Sequence, residues 1–361
     1  MNKNYYAIIM AGGIGSRFWP ISRTSYPKQF LDILGTGKTL IQNTYERFLK
    51  VCPKENIYVV TNENYAKLVQ EQIPGMAEGQ ILTEPVMRNT APCIAYGCYK
   101  IESLNPDASI VVAPSDHLIL DEPAFITAIE KSLKMASANE CLITLGIMPS
   151  RPDTGYGYIQ YTDHSLNEEF HKVKTFTEKP NLELARTFIQ SGDFLWNAGI
   201  FVWSAKAIVK AFNTHQPEMH EIFAEARSVY NSENEKSHIH TAYLQCTNIS
   251  IDYGIMEKAS NVYVLPSEFG WSDLGTWASI YQLANKDDDG NALIPSEKVI
   301  VYDSSNCMVN VPADKLVVLR GLHDFIVVES NNTLLICPRE EEQTVKQVVA
   351  DVKERFGSKY I

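Results

Sequence analysis

The chain has 361 residues, a formal net charge of −11, 45% hydrophobic and 21% charged residues. That length suggests about two domains of ordinary globular composition. The acidic balance argues against a nucleic-acid binder, which would carry a basic face, but leaves room for a nucleotide held in a local basic pocket. No stretch reaches the roughly 18 apolar residues of a membrane span. The N-terminal apolar run is broken by Gly12 and Gly13 and reads as a strand and glycine loop, not a signal peptide. The seven cysteines are scattered without a C-x-x-C pair, which predicts reduced, mostly buried thiols and a cytoplasmic location.

The first half alternates strand and helix patterns. Apolar runs at 5–10, 56–61, 80–85, 109–117 and 141–147 read as strands, with helices at 62–73 and 122–137 among them. This alternation predicts an α/β fold of Rossmann-like type, a mostly parallel sheet with helices on both faces. Ligands bind such sheets at the carboxyl ends of the strands, so the loops after Met10, Leu82, Ala113 and Leu145 are expected to share one crevice. Strands are expected again at 156–161, 170–180, 199–205 and 261–266, and helices at 181–191 and 217–230. After an acidic linker, five short β-rich runs recur between 298 and 338, followed by a charged helical tail at about 339–356. The expected division is a catalytic domain over 1–285 and a small all-β domain with a terminal helix over 286–361.

Several motifs mimic sites. GTGKT (35–39) lacks the first glycine of a phosphate loop, Asp32 standing in its place, and reads as a turn before a helix. GGIGSRF ends on Phe18 where the dinucleotide fingerprint needs glycine. NKDDDG (285–290) has Ser296, not glutamate, at the twelfth position of a calcium loop. SHIH (237–240) has no ligand-spaced partners and reads as a solvated loop.

MAGGIGSRFWPISRTSYPKQF (10–30) carries more. Its glycines let successive N–H groups converge on an anion. Arg17 and Lys28 can neutralise phosphate oxygens, Arg17 in a fork. Glycines alone would fit an ordinary strand-to-helix turn, but the whole string resembles the G-G-x-G-x-R-[LF]-x-P…P-K signature of the sugar nucleotidyltransferases. FTEKP (176–180), WNAGIF (196–201) and GWSDLGTW (270–277) extend the resemblance. TEPVMRNTAP (83–92), PSDH (114–117), RPDTGYGYI (151–159) and SIDYGIMEK (250–258) are similar to the mannose-1-phosphate guanylyltransferase family.

The resemblance implies the reaction of mannose 1-phosphate with GTP to give GDP-mannose and pyrophosphate. Longer family members add an isomerase domain, and the sequence through TLLICPREEEQTVKQVV implies the transferase alone. It implies Mg²⁺ held by Asp116 and Asp273, with Arg17, Lys28 and Lys179 as the catalytic cations. Ala11, Gly12, Gly13, Gly15, Asn89, Thr90 and Ser115 are nucleotide-binding candidates. Gly146, Tyr156, Gly157, Glu178 and Asn197 are expected to form the sugar pocket, with Trp196 as wall or core. Guanine offers two neighbouring donors that a carboxylate accepts well, and Glu84 is the candidate. Glu84 could instead cap the helix near Thr90 or pair with Arg88, and Asp252 could line the sugar site or be structural. The resemblance further implies a left-handed β-helix-like C-terminal unit and a homodimer, without nucleic-acid or membrane partners. Two other readings stand beside it: a guanylyltransferase for another hexose or heptose 1-phosphate, and a non-catalytic regulatory subunit.

Overall fold

In the computed structural model, side chains are described for residues 1–162 and 165–361. The first strands are β1 (Tyr5–Met10), β2 (Ile57–Asn62), β3 (Ile81–Glu84), β4 (Ser109–Pro114) and β5 (Leu118–Ile119). They are followed by β6 (Leu142–Ile147), β7 (Gly157–Ser165), β8 (His171–Glu178), β9 (Phe194–Ser204), β10 (Val262–Ser267) and β11 (Trp271–Ser272). The helices are α1 (Leu40–Phe48), α2 (Ala66–Gln72), α3 (Thr90–Leu104), α4 (Glu122–Ala138) and α5 (Leu182–Ser191). Then come α6 (Ala205–His215), α7 (Pro217–Glu225), α8 (Glu235–Gln245), α9 (Trp277–Leu283) and α10 (Val345–Phe356).

The chain forms two compact units assembled from non-contiguous segments. The first comprises 1–12, 42–115 and 119–271; the second comprises 13–41, 116–118 and 272–361. A linear division at 285/286 follows the order of motifs along the chain, whereas packing recruits the loop 13–41 into the second unit.

The first unit holds a nine-stranded sheet in the order β3-β2-β1-β4-β9-β6-β10-β8-β7. Strands β1 to β4 are mutually parallel, and β6 and β10 are parallel to each other. Between these groups β9 runs antiparallel to both β4 and β6. It is longer than the sequence suggests: the apolar pattern continues upstream of Gly199 through Phe194–Trp196. The ends of β1, β3, β4 and β6 therefore lie on one edge of the sheet. Ile8, Val60, Val112, Phe201 and Trp203 join buried residues of α3, α6, α7 and α8 in one core cluster. Alternate residues such as Ile9, Val59 and Val111 are also fully buried, as expected of strands covered on both faces. Gly97 of α3 has a packing reason: a Cβ there would lie 2.6 Å from Ile8 Cδ1.

SHIH, expected as a loop, belongs to helix α8. Ile239, Ala242, Tyr243 and Cys246 are buried, an i, i+3, i+4, i+7 stripe that packs the helix into the core.

In the second unit, β12 (Ala292–Ile294), β13 (Val299–Tyr302), β14 (Met308–Asn310), β15 (Val317–Arg320) and β16 (Phe325–Ser330) form a coil, closed by β17 (Thr333–Pro338). Strands β12, β14 and β16 stack in parallel, β13 pairs with β15 in a second sheet, and β17 returns antiparallel to β16. Successive strands thus alternate between two sheets, the pattern of a short β-helix. The core joins Phe18, Ile33 and Leu40 to Leu274, Trp277, Ile280, Met308 and Val328. Buried Trp19 packs with Leu335 and Val345 and donates its indole N–H to the Tyr360 carbonyl at 2.7 Å. Arg23 donates to the Ser330 and Asn331 carbonyls and to Thr333 Oγ1 at 3.0–3.2 Å. The loop after Gly12 is held by the C-terminal segments of its own unit.

Two look-alike motifs are occupied by their own carboxylates. Asp32 accepts the N–H groups of Thr36 and Gly37 at 2.9 and 2.7 Å, so these amides are engaged within the turn. Asp287 likewise accepts from the backbone of Asp289 and Asn291. The seven cysteines are free thiols, six of them buried.

Candidate active site

The second unit contains a cavity of about 310 Å³ lined by Gly15, Arg17, Lys28, Asp116, Asp273 and Lys346, with His117 and Gly275 beside them. Gly15 sits at φ +68°, and a Cβ there would lie 2.5 Å from Lys28 Cβ. The glycine lets the loop fold over the lysine stem. Lys28 is buried, and its ammonium makes three contacts: Asp116 Oδ2 at 2.8 Å and the carbonyls of Asp273 and Leu274 at 2.8 and 3.0 Å. It ties the two aspartate-bearing segments together. Leu274 adopts φ +45°, an unfavourable region for a branched residue, and is fully buried. Its carbonyl thereby meets Lys28. Asp273 Oδ1 accepts the Gly275 N–H at 2.9 Å.

Burial alone would raise the Asp116 carboxyl pKa, but Lys28, His117 and hydrogen bonds outweigh it and hold the group below its ordinary value. Asp116 is therefore a carboxylate near neutral pH. Arg17 differs from Lys28: its Nε is buried and has no hydrogen-bond partner. An unsatisfied cationic donor beside a cavity is suited to meeting an anion.

In the first unit, Ala11 is buried, donates its N–H to the Val60 carbonyl at 2.8 Å and accepts from Thr61 Oγ1 at 2.8 Å. Both of its backbone groups serve the sheet. Ser115, also buried, donates its N–H to the Met10 carbonyl and accepts from Thr44 Oγ1. In the second unit, Gly13 has nothing within 4 Å of a notional Cβ and lies open.

Glu84 ends β3 and is 4% exposed. Neither ordinary alternative for it holds. The α3 cap is Asn89, whose Oδ1 accepts the Thr90 N–H at 2.9 Å, and Arg88 donates to the Tyr243 carbonyl. Thr90 Oγ1 accepts the Ile251 N–H, tying α3 to 250–258. Glu84 faces the buried Tyr243 hydroxyl, whose hydrogen bonding favours the carboxylate but less than burial disfavours it, while Oε2 lies 3.6 Å from a notional Cβ on Gly12. Burial pushes the Glu84 carboxyl up to about 7.

This shift makes stability depend on pH. The folded protein binds the Glu84 proton more tightly than the unfolded chain, so the contribution is complete below about 4.5 and lost as pH rises through about 7. A shift of that size corresponds to roughly 3 kcal/mol. Glu84→Gln should therefore be more stable than the parent at pH 8, by up to that amount, with the gap closing towards pH 5. Denaturant unfolding at the two pH values checks this, and a gap independent of pH would contradict it.

The sugar-pocket candidates form a second polar cluster in this unit. Asn197 Nδ2 donates to Asp252 Oδ1 at 2.7 Å, and its Oδ1 accepts from Thr144 Oγ1 and the Gly199 N–H, both at 3.1 Å. Burial first, then the nearby Glu178 carboxylate, pushes the Asp252 carboxyl up to about 6. Gly157 pairs with Glu178 across β7 and β8, and a Cβ there would lie 2.4 Å from Glu178 Oε2. Only glycine leaves that oxygen in place. Lys179 follows at φ +48°, held by its N–H to the Tyr156 carbonyl at 3.2 Å. Its exposed ammonium lies 2.7 Å from Glu178 Oε1.

Gly146 belongs to the packing of this region: a Cβ would meet Leu195 and Val264 at 2.6–2.7 Å. Trp196 is buried core, packed edge-on to Tyr156 with centroids 5.0 Å apart. Arg151, absent from the sequence-derived set, lies over the Tyr156 and Trp196 rings at 5.8 and 5.3 Å and pairs with Asp153. Tyr243, His117 and Lys346 were also missed. Tyr243 lies three residues beyond the segment expected as a loop, and a lysine in a charged terminal helix carries no distinguishing signal.

The nucleotidyl transferase family model matches residues 6–290, and the MannoseP isomerase/GMP-like beta-helix domain model matches residues 297–352. The mannose-1-phosphate guanylyltransferase of Escherichia coli (strain K12) is 35% identical over 96% of this chain and 73% of its own length. The alginate biosynthesis protein AlgA of Pseudomonas aeruginosa is 37% identical over 96% of this chain and 71% of its own. A crystal structure from Thermus thermophilus, described as a mannose-1-phosphate geranyltransferase, superposes with a TM-score of 0.87 at 30% identity. The match covers 97% of this chain and 99% of that one.

Proposed function

The chain belongs to the nucleotidyl transferase family, and on that premise we propose that it transfers GMP from GTP to α-D-mannose 1-phosphate, releasing pyrophosphate. The observation that carries this reading is the unpartnered, buried Arg17 Nε in a cavity shared with Lys28 and two aspartates.

The nucleophile is a phosphate oxygen of the sugar phosphate. Its second pKa lies near 6, so it is largely ionised at neutral pH and needs no general base. Catalysis reduces to holding two polyanions in line and stabilising charge on the α-phosphorus and the departing pyrophosphate. Arg17 binds the β- and γ-phosphates and stabilises the leaving group. Lys28 neutralises the nucleotide phosphates and orients Asp116 and Asp273. Gly12, Gly13 and Gly15 let backbone N–H groups approach the phosphates.

Mg²⁺ fits Asp116 and Asp273 in donor type, since it takes hard oxygens and is commonly bound by one or two carboxylates plus substrate phosphates. When bound, it would offset phosphate charge.

Lys179 grips the sugar phosphate, while Glu178 and Asn197 accept and donate hydrogen bonds to mannose hydroxyls, with Tyr156 and Gly157 shaping the pocket beside Gly146. Glu84 reads guanine through its carboxylate, with Asn89 and Thr90 near base or ribose; Ala11 and Ser115 fix the strand ends that carry these loops. Glu84→Gln should narrow the preference for GTP over ATP, measured as a ratio of kcat/KM, and an unchanged ratio would remove Glu84 from base readout. The reading also places the enzyme in the cytoplasm as a homodimer.

The test is pyrophosphate release from GTP with a panel of hexose and heptose 1-phosphates. Mannose 1-phosphate should turn over fastest. Turnover of another sugar without mannose 1-phosphate would replace the substrate, and release with none would favour a regulatory subunit.

A further inference from the structure

We propose that Lys346, on the C-terminal helix, is a binding residue for the terminal phosphates of the nucleotide and for the pyrophosphate that leaves. This rests on the reaction proposed above and adds a residue to it.

Lys346 lines the same cavity as Arg17, Lys28, Asp116 and Asp273. It is the second residue of α10, which continues without a break from a 3₁₀ helix over Arg339–Thr344. Its placement is fixed by its neighbour. Val345 is fully buried against Trp19 and Leu335, with Val348, Val349 and Val352 continuing the same apolar face. Trp19 lies two residues from Arg17 and is bonded to the Tyr360 carbonyl at 2.7 Å. The packing that anchors the Arg17 turn therefore also anchors Lys346. On the other flank, Glu342 accepts the Ala278 N–H at 2.8 Å and joins the start of α10 to the first turn of α9, just after the Asp273 loop.

Charge points the same way. A triphosphate carries more negative charge than Arg17 and Lys28 offset beside Asp116 and Asp273, and Lys346 adds a third cation to the lining of that cavity. A terminal segment outside the nucleotidyl transferase match at 6–290 thereby contributes to phosphate binding.

The test is calorimetric binding of pyrophosphate, with Mg²⁺ present, to the full-length protein and to Lys346→Met and Lys346→Arg. Methionine keeps the aliphatic stem and removes the charge. K346M should bind pyrophosphate about tenfold more weakly, and K346R close to the parent. In turnover assays K346M should raise KM for GTP and leave KM for mannose 1-phosphate unchanged. Parent-like pyrophosphate affinity in K346M would overturn the proposal, as would an equal loss for both substrates, which marks a structural role. If the parent releases no pyrophosphate with any sugar 1-phosphate, the proposed reaction fails, while the calorimetric comparison still decides Lys346.

Discussion

Arg17→Ala is expected to lower kcat/KM for GTP by about three orders of magnitude, or roughly 4 kcal/mol of transition-state stabilisation. Arginine that meets developing phosphate charge in a water-poor site is worth more than a surface ion pair, because nothing must reorganise as the leaving group forms. The fold gives Arg17 little else to do. Its Nε has no hydrogen-bond partner, and the turn around it is held by Phe18, Trp19 and Gly15. Melting temperature should therefore stay near that of the parent while activity falls. Arg17→Lys should recover only part of the loss, since an ammonium cannot fork across two phosphate oxygens. Near-parental steady-state kinetics for the alanine variant would remove Arg17 from the mechanism.

The second large effect is expected at Lys179. Lys179→Ala should reduce kcat/KM for mannose 1-phosphate by about a hundredfold or more, chiefly through KM, with KM for GTP little changed. The lysine is exposed, and its ion pair with Glu178 at 2.7 Å is solvent-screened and contributes little to stability. Yet its backbone is held at φ +48° directly before Pro180, where the preceding residue ordinarily stays extended. Strain of this kind persists where surrounding structure over-determines it, here the β7–β8 pairing and the N–H bond to Tyr156. Initial-rate kinetics with each substrate varied separately check this. An equal rise in both KM values, or none, would contradict the assignment.

Much of this was legible in the sequence for specific reasons. Runs such as Tyr5–Met10 and Leu142–Ile147 are buried on both faces and almost wholly apolar, so their strands stand out. The glycines at 15 and 157 stand out in their motifs, and in the fold each leaves room for a side chain across from it, Lys28 and Glu178 respectively. What was illegible depends on contacts distant in sequence. The stripe at Ile239, Ala242, Tyr243 and Cys246 is diluted by histidine, serine and lysine, and only packing against α3 and α7 reveals the helix. Lys28 read as a phosphate cation, yet its three bonds to Asp116, Asp273 and Leu274 make it equally the brace of the acidic residues. Gly146 read as a sugar contact, whereas Leu195 and Val264 supply a sufficient packing reason. No local pattern could attach 13–41 to 272–361, because that attachment is made by single residues such as Trp19 and Arg23 reaching terminal carbonyls.

The central claim is attack of the sugar phosphate on the α-phosphorus of GTP. The most direct test incubates the protein with mannose 1-phosphate and Mg²⁺ and with GTP carrying radiolabel at either the α- or the γ-phosphorus. The α-label should move into a nucleotide sugar and the γ-label into pyrophosphate, in equal amounts. Appearance of the γ-label in inorganic phosphate or in the sugar product would contradict the account.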